Sequence, residues 1–361
     1  MVFSNSYDGA YPRELAHGFF DAGIEIGFIS LSRAPAPKWI NDHFAKELSE
    51  QFGSDLPLIR RIMMTISVIR SFRPDIIQTH LFQAGFVGLI AGKFMRVPVI
   101  HSRHHIDEHY QSGTFLHRWI DRVVAKNAKH VVVCSAAAKK WLIEIEGIEE
   151  THITVINQGF DFSFLSPTPE AVKKAKLDLN FSEEDFNIIC VSRYSEAKGQ
   201  NYLVLAISEI VKTNPKISLT CMGPGDSAWL VALVEELKLE EYIKILPSRD
   251  DIPACIAAAD MVIHPSLADS FSQLVIEAQA VGGLLVASDI AAAREQIIDG
   301  VTGVIVPPRN SKAIAEAVVF LIGNPELGSS LRKNGPPHVR NSFDWQRMLS
   351  EEIECLSKHL V

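Results

Sequence analysis

The sequence predicts an α/β protein of two doubly wound domains, each a parallel sheet wrapped by helices. Three observations carry this. The chain has 361 residues, 47% of them hydrophobic, which is enough for two cores of ordinary size. Short apolar runs alternate with longer amphipathic ones, and the short runs are continuously apolar, as strands covered on both faces require. The pattern also restarts: one set of strands ends near residue 156 and a second opens at 186.

In the first half, DIIQTH (75–80), VPVIHS (97–102), KHVVVCS (129–135) and HITVI (152–156) read as buried parallel strands. The amphipathic stretches 58–72, 82–95, 115–127 and 136–146 read as the helices between them. A first strand should precede the loop SNSYDGAY (4–11), and only MVF is left to form it. In the second half, FNIICVS (186–192), ISLTCM (217–222), YIKIL (242–246), DMVIHPS (260–266), GLLVAS (283–288) and GVIVPP (303–308) read as strands, again with helices between. The stretch NQGFDFSFLSPTPE (157–170) clusters Pro, Gly, Ser and Asn without periodicity and reads as a linker. The expected domains are therefore 1–160 and 165–340. An amphipathic helix over 344–361 follows a Gly-Pro-Pro break at 335–337 and is expected to pack back on the first domain.

Composition removes several classes. A net charge of −8 disfavours a nucleic-acid partner. The five cysteines (Cys134, Cys190, Cys221, Cys255 and Cys355) are scattered without a C-x-x-C pair, which fits reduced thiols in a cytoplasmic protein. No secretory signal is visible, and no apolar run approaches the roughly 18 residues of a membrane span. LPLIRRIMMTISVIRSFRPD (56–75) sets Ile59, Ile62, Met63, Ile66 and Ile69 at helical spacing, flanked by Arg60, Arg61, Arg70 and Arg73. Such a stripe is ordinarily core. The alternative is peripheral contact with an anionic membrane, at its inner face.

The stretch LADSFSQLVIEAQAVG (267–282) carries chemistry. Ser270 and Gln273 form an S-x-x-Q capping box, which predicts a helix starting near Phe271. A helix start at the carboxyl edge of a parallel sheet is an anion site. Glu277, roughly two turns in, can accept hydrogen bonds from a diol such as ribose. Asp269, just before the helix, can accept bonds from hydroxyls on the other side of the anion. Alone, the two acids could equally be stabilising a helix dipole. VSRYSEAKG (191–199) adds Arg193 and Lys198 on the loop after the first strand of that half, where two cations can neutralise a diphosphate without metal. Alone, these could equally be solvated loop charges. CMGPGDS (221–227) adds a glycine-rich turn after the next strand.

Together these stretches resemble the retaining nucleotide-sugar glycosyltransferases of the GT4 family, with the GT-B fold. The family's motifs stand here, in order, as S-R-Y-S-E-A-K-G (192–199), G-P-G-D (223–226), D-M-V-I-H-P-S (260–266), D-S-F-S-Q-L-V-I-E-A-Q-A-V-G (269–282) and D-G-V-T-G-V-I-V-P-P (299–308). VINQGFD (155–161) resembles the family hinge with Gln158 inserted, and FDWQRM (343–348) the start of its last helix. The resemblance implies that Arg193 and Lys198 hold the donor diphosphate and Glu277 the ribose. It implies that Asp269, with the backbone around Ser270, Phe271 and Ser272, holds the transferred sugar and phosphates. Gly223 and Gly9 fall to donor binding as well. Asp269 stands where the family has glutamate, and Ser270 and Ser272 replace two glycines, whose absence limits close backbone approach.

VIHSRHHIDEHYQSG (99–113) contains His105-Ile-Asp-Glu-His109, literally an H-x-x-E-H metalloprotease motif. That motif belongs inside a helix, whereas this stretch follows a strand directly. Aligning Pro98-Val99-Ile100 on the family instead puts His104 at the donor sugar, with Arg103 and His105 available to an acceptor. The resemblance thus implies a metal-independent glycosyltransferase acting with retention. Its donor is a nucleotide-sugar co-substrate, UDP-linked, and its acceptor a glycan or a lipid-linked molecule. No D-x-D pair stands at a strand end, and no metal site or further cofactor is expected. The alternatives are a GT-B nucleotide-sugar epimerase and a catalytically weak GT-B binding protein.

Overall fold

The computed structural model describes residues 2–4, 10–30, 49–51, 56–103 and 115–360. The chain divides into two compact units, one of residues 1–159 with 345–361, the other of 160–344.

The first unit is built on a seven-stranded parallel sheet in the order β3-β2-β1-β4-β5-β6-β7. Its strands are β1 (Val2–Ser4), β2 (Phe28–Ser30), β3 (Ser49–Gln51), β4 (Ile77–His80), β5 (Val99–Arg103), β6 (His130–Val133) and β7 (Ile153–Val155). The short strand β1 is central, because Val2 pairs with Phe28 on one side and Gln78 on the other. The final helix, Trp345–Lys358, belongs to this unit through a buried polar link: Gln78 Nε2 donates to Glu352 Oε2 at 3.0 Å and to Ser102 Oγ at 2.9 Å. Arg103 is not available to an acceptor. It is buried in an ion cluster, 2.7 Å from Glu146 and 3.6 Å from Asp121. The Leu58–Phe72 helix divides its apolar stripe. Val68 and Ile69 are core, whereas Ile59 and Met63 stand 65% and 63% exposed.

The second unit holds a six-stranded parallel sheet in the order β10-β9-β8-β11-β12-β13. Its strands are β8 (Phe186–Val191), β9 (Ile217–Met222), β10 (Ile243–Leu246), β11 (Met261–His264), β12 (Leu285–Ser288) and β13 (Val304–Val306). Alternate residues feed two cores. Ile188 and Cys190 pack with Leu219, Cys221 and Val286 on one face, and Ile189 with Met222, Val262, Leu285 and Ala287 on the other. That two-sided burial is why these strands read as unbroken apolar runs. The order reverses between β8 and β11, so a crevice opens at their carboxyl ends.

Two expectations about the second unit are corrected. Gly335-Pro336-Pro337 does not break a helix, since all three lie within Pro325–Ser342. Gly335 allows that helix to settle on Gln279, whose carbonyl oxygen would lie 3.1 Å from any β-carbon there, and this packing overrides the local cost of proline. The unit also begins at Phe160 rather than 165. The Phe160 amide donates to the Phe343 carbonyl at 2.9 Å, Phe160 bridges Asp344, and Phe162 is buried with Ile276, Val339 and Phe343.

All five cysteines are buried and unbridged. Three histidines meet in the first unit. His130 stacks on His359 at 4.3 Å, lies 5.7 Å from His152, and shares a 2.8 Å hydrogen bond with Thr154. Burial first, then His359 and His152, push the His130 pKa down to about 4 from an ordinary 6.5. The fold therefore favours the neutral ring. Its contribution to stability is complete above pH 6.5 and is lost progressively as pH falls towards 4. Urea unfolding at pH 7 and pH 4.5 should show His130→Gln losing less stability on acidification than the parent, by at most about 3 kcal/mol.

Candidate active site

Three loops meet at the switch point of the second sheet. The loop after β8 is zipped to the loop after β9: Ser192 N–H donates to the Met222 carbonyl at 3.0 Å, and Tyr194 N–H to the Pro224 carbonyl at 2.8 Å. A β-carbon on Gly223 would lie 2.0 Å from the Ser192 carbonyl oxygen. On the other side, Leu267 N–H donates to the Ala197 carbonyl at 2.8 Å. Gly199, at φ +67°, would press a β-carbon to 2.1 Å from the Pro265 carbonyl oxygen. Gln200 Nε2 closes the turn by donating to Ser192 Oγ at 2.8 Å and to the Arg193 carbonyl at 2.9 Å. The β8 loop is thus held on both flanks, and it carries Arg193 and Lys198.

Lys198 Nζ lies 2.8 Å from Asp269 Oδ2, the two side chains being 24% and 16% exposed. The sequence reading gave Lys198 to phosphate and Asp269 to sugar hydroxyls; here they hold each other. His264 Nε2 lies 3.5 Å from the same carboxylate oxygen. Burial pushes the Asp269 carboxyl up, but His264 and Lys198 outweigh it and leave the pKa below its ordinary 3.8. Arg193 stands exposed on the same loop.

His264 was missed by the sequence reading. Its only sequence signal was a polar residue closing an otherwise apolar strand, DMVIHPS.

The helix start differs from expectation. The helix spans Gln273–Ala280, and Ser272 is its N-cap, with no capping hydrogen bond from the Ser272 side chain. Gln296 takes the place of the predicted capping box. Its Oε1 accepts from Ser272 N–H at 3.2 Å while its Nε2 donates to the Ser272 carbonyl at 3.0 Å. Gln296 is itself anchored, its carbonyl accepting from Gln279 Nε2 at 2.9 Å. No sequence rule pointed to this clamp, because its partner lies 24 positions away. Phe271 turns its ring into an aromatic cluster, 6.1 Å from Phe160 and 5.7 Å from Phe343.

Because the helix starts at Gln273, Glu277 falls little more than one turn in. It is half-buried, and burial alone raises its carboxyl above the ordinary 4.5.

Arg193, Lys198, Gly223, Asp269, Ser270, Phe271, Ser272 and Glu277 thus all lie on β8, β9 and β11 loops or the helix that follows. Gly9 and His104, with His105 and His109, lie outside the described residues. Among the described residues no group of three or more His, Cys, Asp or Glu could hold a metal ion.

Two doubly wound units, with acids and cations gathered at the switch point of the second, are the architecture of the GT-B fold. Residues 172–338 match the family described as Glycosyl transferases group 1, and residues 9–164 match Glycosyltransferase Family 4. A glycogen synthase of Mycobacterium tuberculosis is 25% identical over 286 residues, 77% of this chain and 67% of its own. A D-inositol 3-phosphate glycosyltransferase of Nocardia farcinica is 26% identical over 306 residues, 79% of this chain and 67% of its own. Anabaena HepE, crystallised in complex with UDP-glucose, shares the fold over 99% of both chains, with a TM-score of 0.85 and 23% identity. Sucrose-phosphate synthase of Thermosynechococcus elongatus does so over 99% of this chain and 95% of its own, with a TM-score of 0.82 and 20% identity. On its fold and the two family matches together, the chain is a GT-B glycosyltransferase.

Replacing Gln296 by Leu should free both main-chain groups of Ser272. Hydrogen exchange by mass spectrometry should show residues 269–274 exchanging about tenfold faster or more, with protection of β4 to β6 unchanged. Unchanged exchange at 269–274 would mean that Gln296 does not hold the loop.

Proposed function

We propose that the protein transfers a sugar from a UDP-sugar to a hydroxyl of a glycan or lipid-linked acceptor, with retention at the anomeric carbon and without a metal ion. One observation carries this reading. Arg193, Lys198 and Asp269 gather at the switch point, and the next helix presents a half-buried Glu277 whose carboxylate has no hydrogen bond or ion pair among the described residues. The crevice beyond the carboxyl ends of parallel strands is where a nucleotide diphosphate sits in such sheets. Arg193 and Lys198 supply the positive charge that a departing diphosphate needs. The first-turn amides of the Gln273–Ala280 helix, which the Ser272 side chain does not cap, add oriented donors. A half-buried carboxylate lacking partners among the described residues gains most from a ligand that brings two hydroxyl donors, which suits Glu277 to ribose. The complex of HepE with UDP-glucose supports UDP as the nucleotide.

In the transfer, the bond from the anomeric carbon to the diphosphate oxygen breaks as the acceptor oxygen bonds to the same face. The acceptor proton passes to the departing phosphate oxygen. The charge left on UDP rests on Arg193, Lys198 and the helix-start amides, and no covalent sugar–enzyme intermediate is required. Exposed Leu58, Ile59 and Met63 beside Arg60 favour an acceptor met at an anionic lipid surface.

Calorimetry should show Glu277→Ala binding UDP about tenfold more weakly or worse, the scale of two lost hydrogen bonds to a carboxylate. Turnover of a UDP-sugar should survive chelation by EDTA. Loss of turnover that manganese restores would replace the two-cation mechanism with a metal-assisted one.

The wild-type protein should sediment with vesicles containing anionic lipid, and the Ile59→Asp, Met63→Asp double variant should stay in the supernatant. Equal sedimentation of the two would remove the lipid-surface reading.

A further inference from the structure

One buried ring in this site has no role in the transfer as described. His264 closes β11 and is 3% exposed. Among the described residues neither of its ring nitrogens has a hydrogen-bond partner within normal hydrogen-bond geometry, and Nε2 is 3.5 Å from Asp269 Oδ2. A neutral imidazole carries one N–H, and burying that proton without an acceptor is costly. With the proton on Nε2 it faces a carboxylate. With the proton on Nδ1 it faces no acceptor among the described residues.

Lys198 faces the same oxygen at 2.8 Å. The two donors differ in kind. Lys198 reaches Asp269 on a flexible four-carbon stem from the loop after β8, whereas the imidazole is fixed by its strand. A diphosphate at this edge competes with Asp269 for the lysine. If Lys198 leaves, Asp269 becomes a largely buried carboxylate without its cation, a state that needs another donor. His264 is the other donor facing Asp269 among the described residues.

We propose that His264 is a positioning residue that holds the Asp269 carboxylate while Lys198 passes from Asp269 to the donor diphosphate. The proposal rests on the UDP-sugar reading of the site. Lys198 is then an exchangeable cation: paired with Asp269 in the free protein, and with phosphate when the donor is bound. His264 closes on Asp269 as the lysine departs. One consequence runs against intuition. Neutralising Asp269 releases Lys198, so it strengthens binding of the nucleotide even as it removes a group from the sugar.

Two measurements on the full chain test this. The first uses no nucleotide. In protein carrying ring-15N histidine, with His264 assigned by its loss in His264→Gln, the free protein should show the proton on Nε2. Lys198→Met should move that proton downfield as its bond to Asp269 shortens, and adding Asp269→Asn should abolish the shift. The second is calorimetry with UDP. Asp269→Asn should bind roughly fivefold more tightly, the scale of one part-exposed ion pair. His264→Leu should bind about as much more weakly, and His264→Gln, which keeps a donor, should recover most of that loss. The His264→Leu, Asp269→Asn double variant should bind like Asp269→Asn alone. A proton on Nδ1, or a His264 signal indifferent to Lys198→Met, overturns the positioning role whatever UDP does. Additive effects of the two substitutions on UDP binding overturn the exchange. A responsive His264 ring with no UDP binding by any variant, wild type included, sustains the coupling of His264 to Asp269 and removes the UDP-donor reading instead.

Discussion

The β8 loop depends on a steric constraint: main chain lies against main chain on both of its sides. At Gly223 and at Gly199 a β-carbon would come within 2.0 and 2.1 Å of a neighbouring carbonyl oxygen. Contacts that close leave no space for a side chain, and they let three strand-end loops share hydrogen bonds that solvent would otherwise take. A loop fixed on both flanks presents its charges at little further entropic cost. The ion pair of Lys198 with Asp269 inherits its position from that arrangement, as does the ring of His264.

The two acids of the site are treated in opposite ways by their surroundings. Burial opposes the ionised form of both. Asp269 overcomes it because His264 and Lys198 face it, and its pKa falls. Glu277 has burial alone, and its pKa rises. Carboxylates whose environments push them apart commonly serve different tasks. Here one is already satisfied within the protein, and the other stands to gain from hydroxyl donors brought by a ligand.

Much of this was legible in the residues. The six strands of the second sheet fall within the six apolar runs, because their apolar side chains feed cores on both faces of the sheet. The resemblance to the family motifs implies one donor site for Arg193, Lys198 and Asp269, and they lie on the loops that leave the adjacent strands β8 and β11. What escaped had a non-local cause. The clamp of Gln296 on Ser272 replaces a local capping box with a contact between distant residues. The pairing of Lys198 with Asp269 spans 71 positions, and spacing says nothing of whether a cation is already engaged. Pro336 and Pro337 carry a strong local signal that tertiary packing at Gly335 overrules. The burial of Arg103, expected to be available to an acceptor, escaped because its partners, Asp121 and Glu146, are remote in sequence.

The chain enters the second unit at Phe160 and leaves it at Asp344, and those two residues are bridged side by side. The unit is therefore a closed excursion from a chain that otherwise continues through the first unit into its final helix. Its ends meet within a single bridge, so a different insert with the same end spacing could occupy the place without rerouting the surrounding strands. In evolutionary terms this part of the molecule is a replaceable cassette. A lineage could exchange the half that carries Arg193, Lys198 and Glu277 as one piece while keeping the seven-stranded host sheet intact.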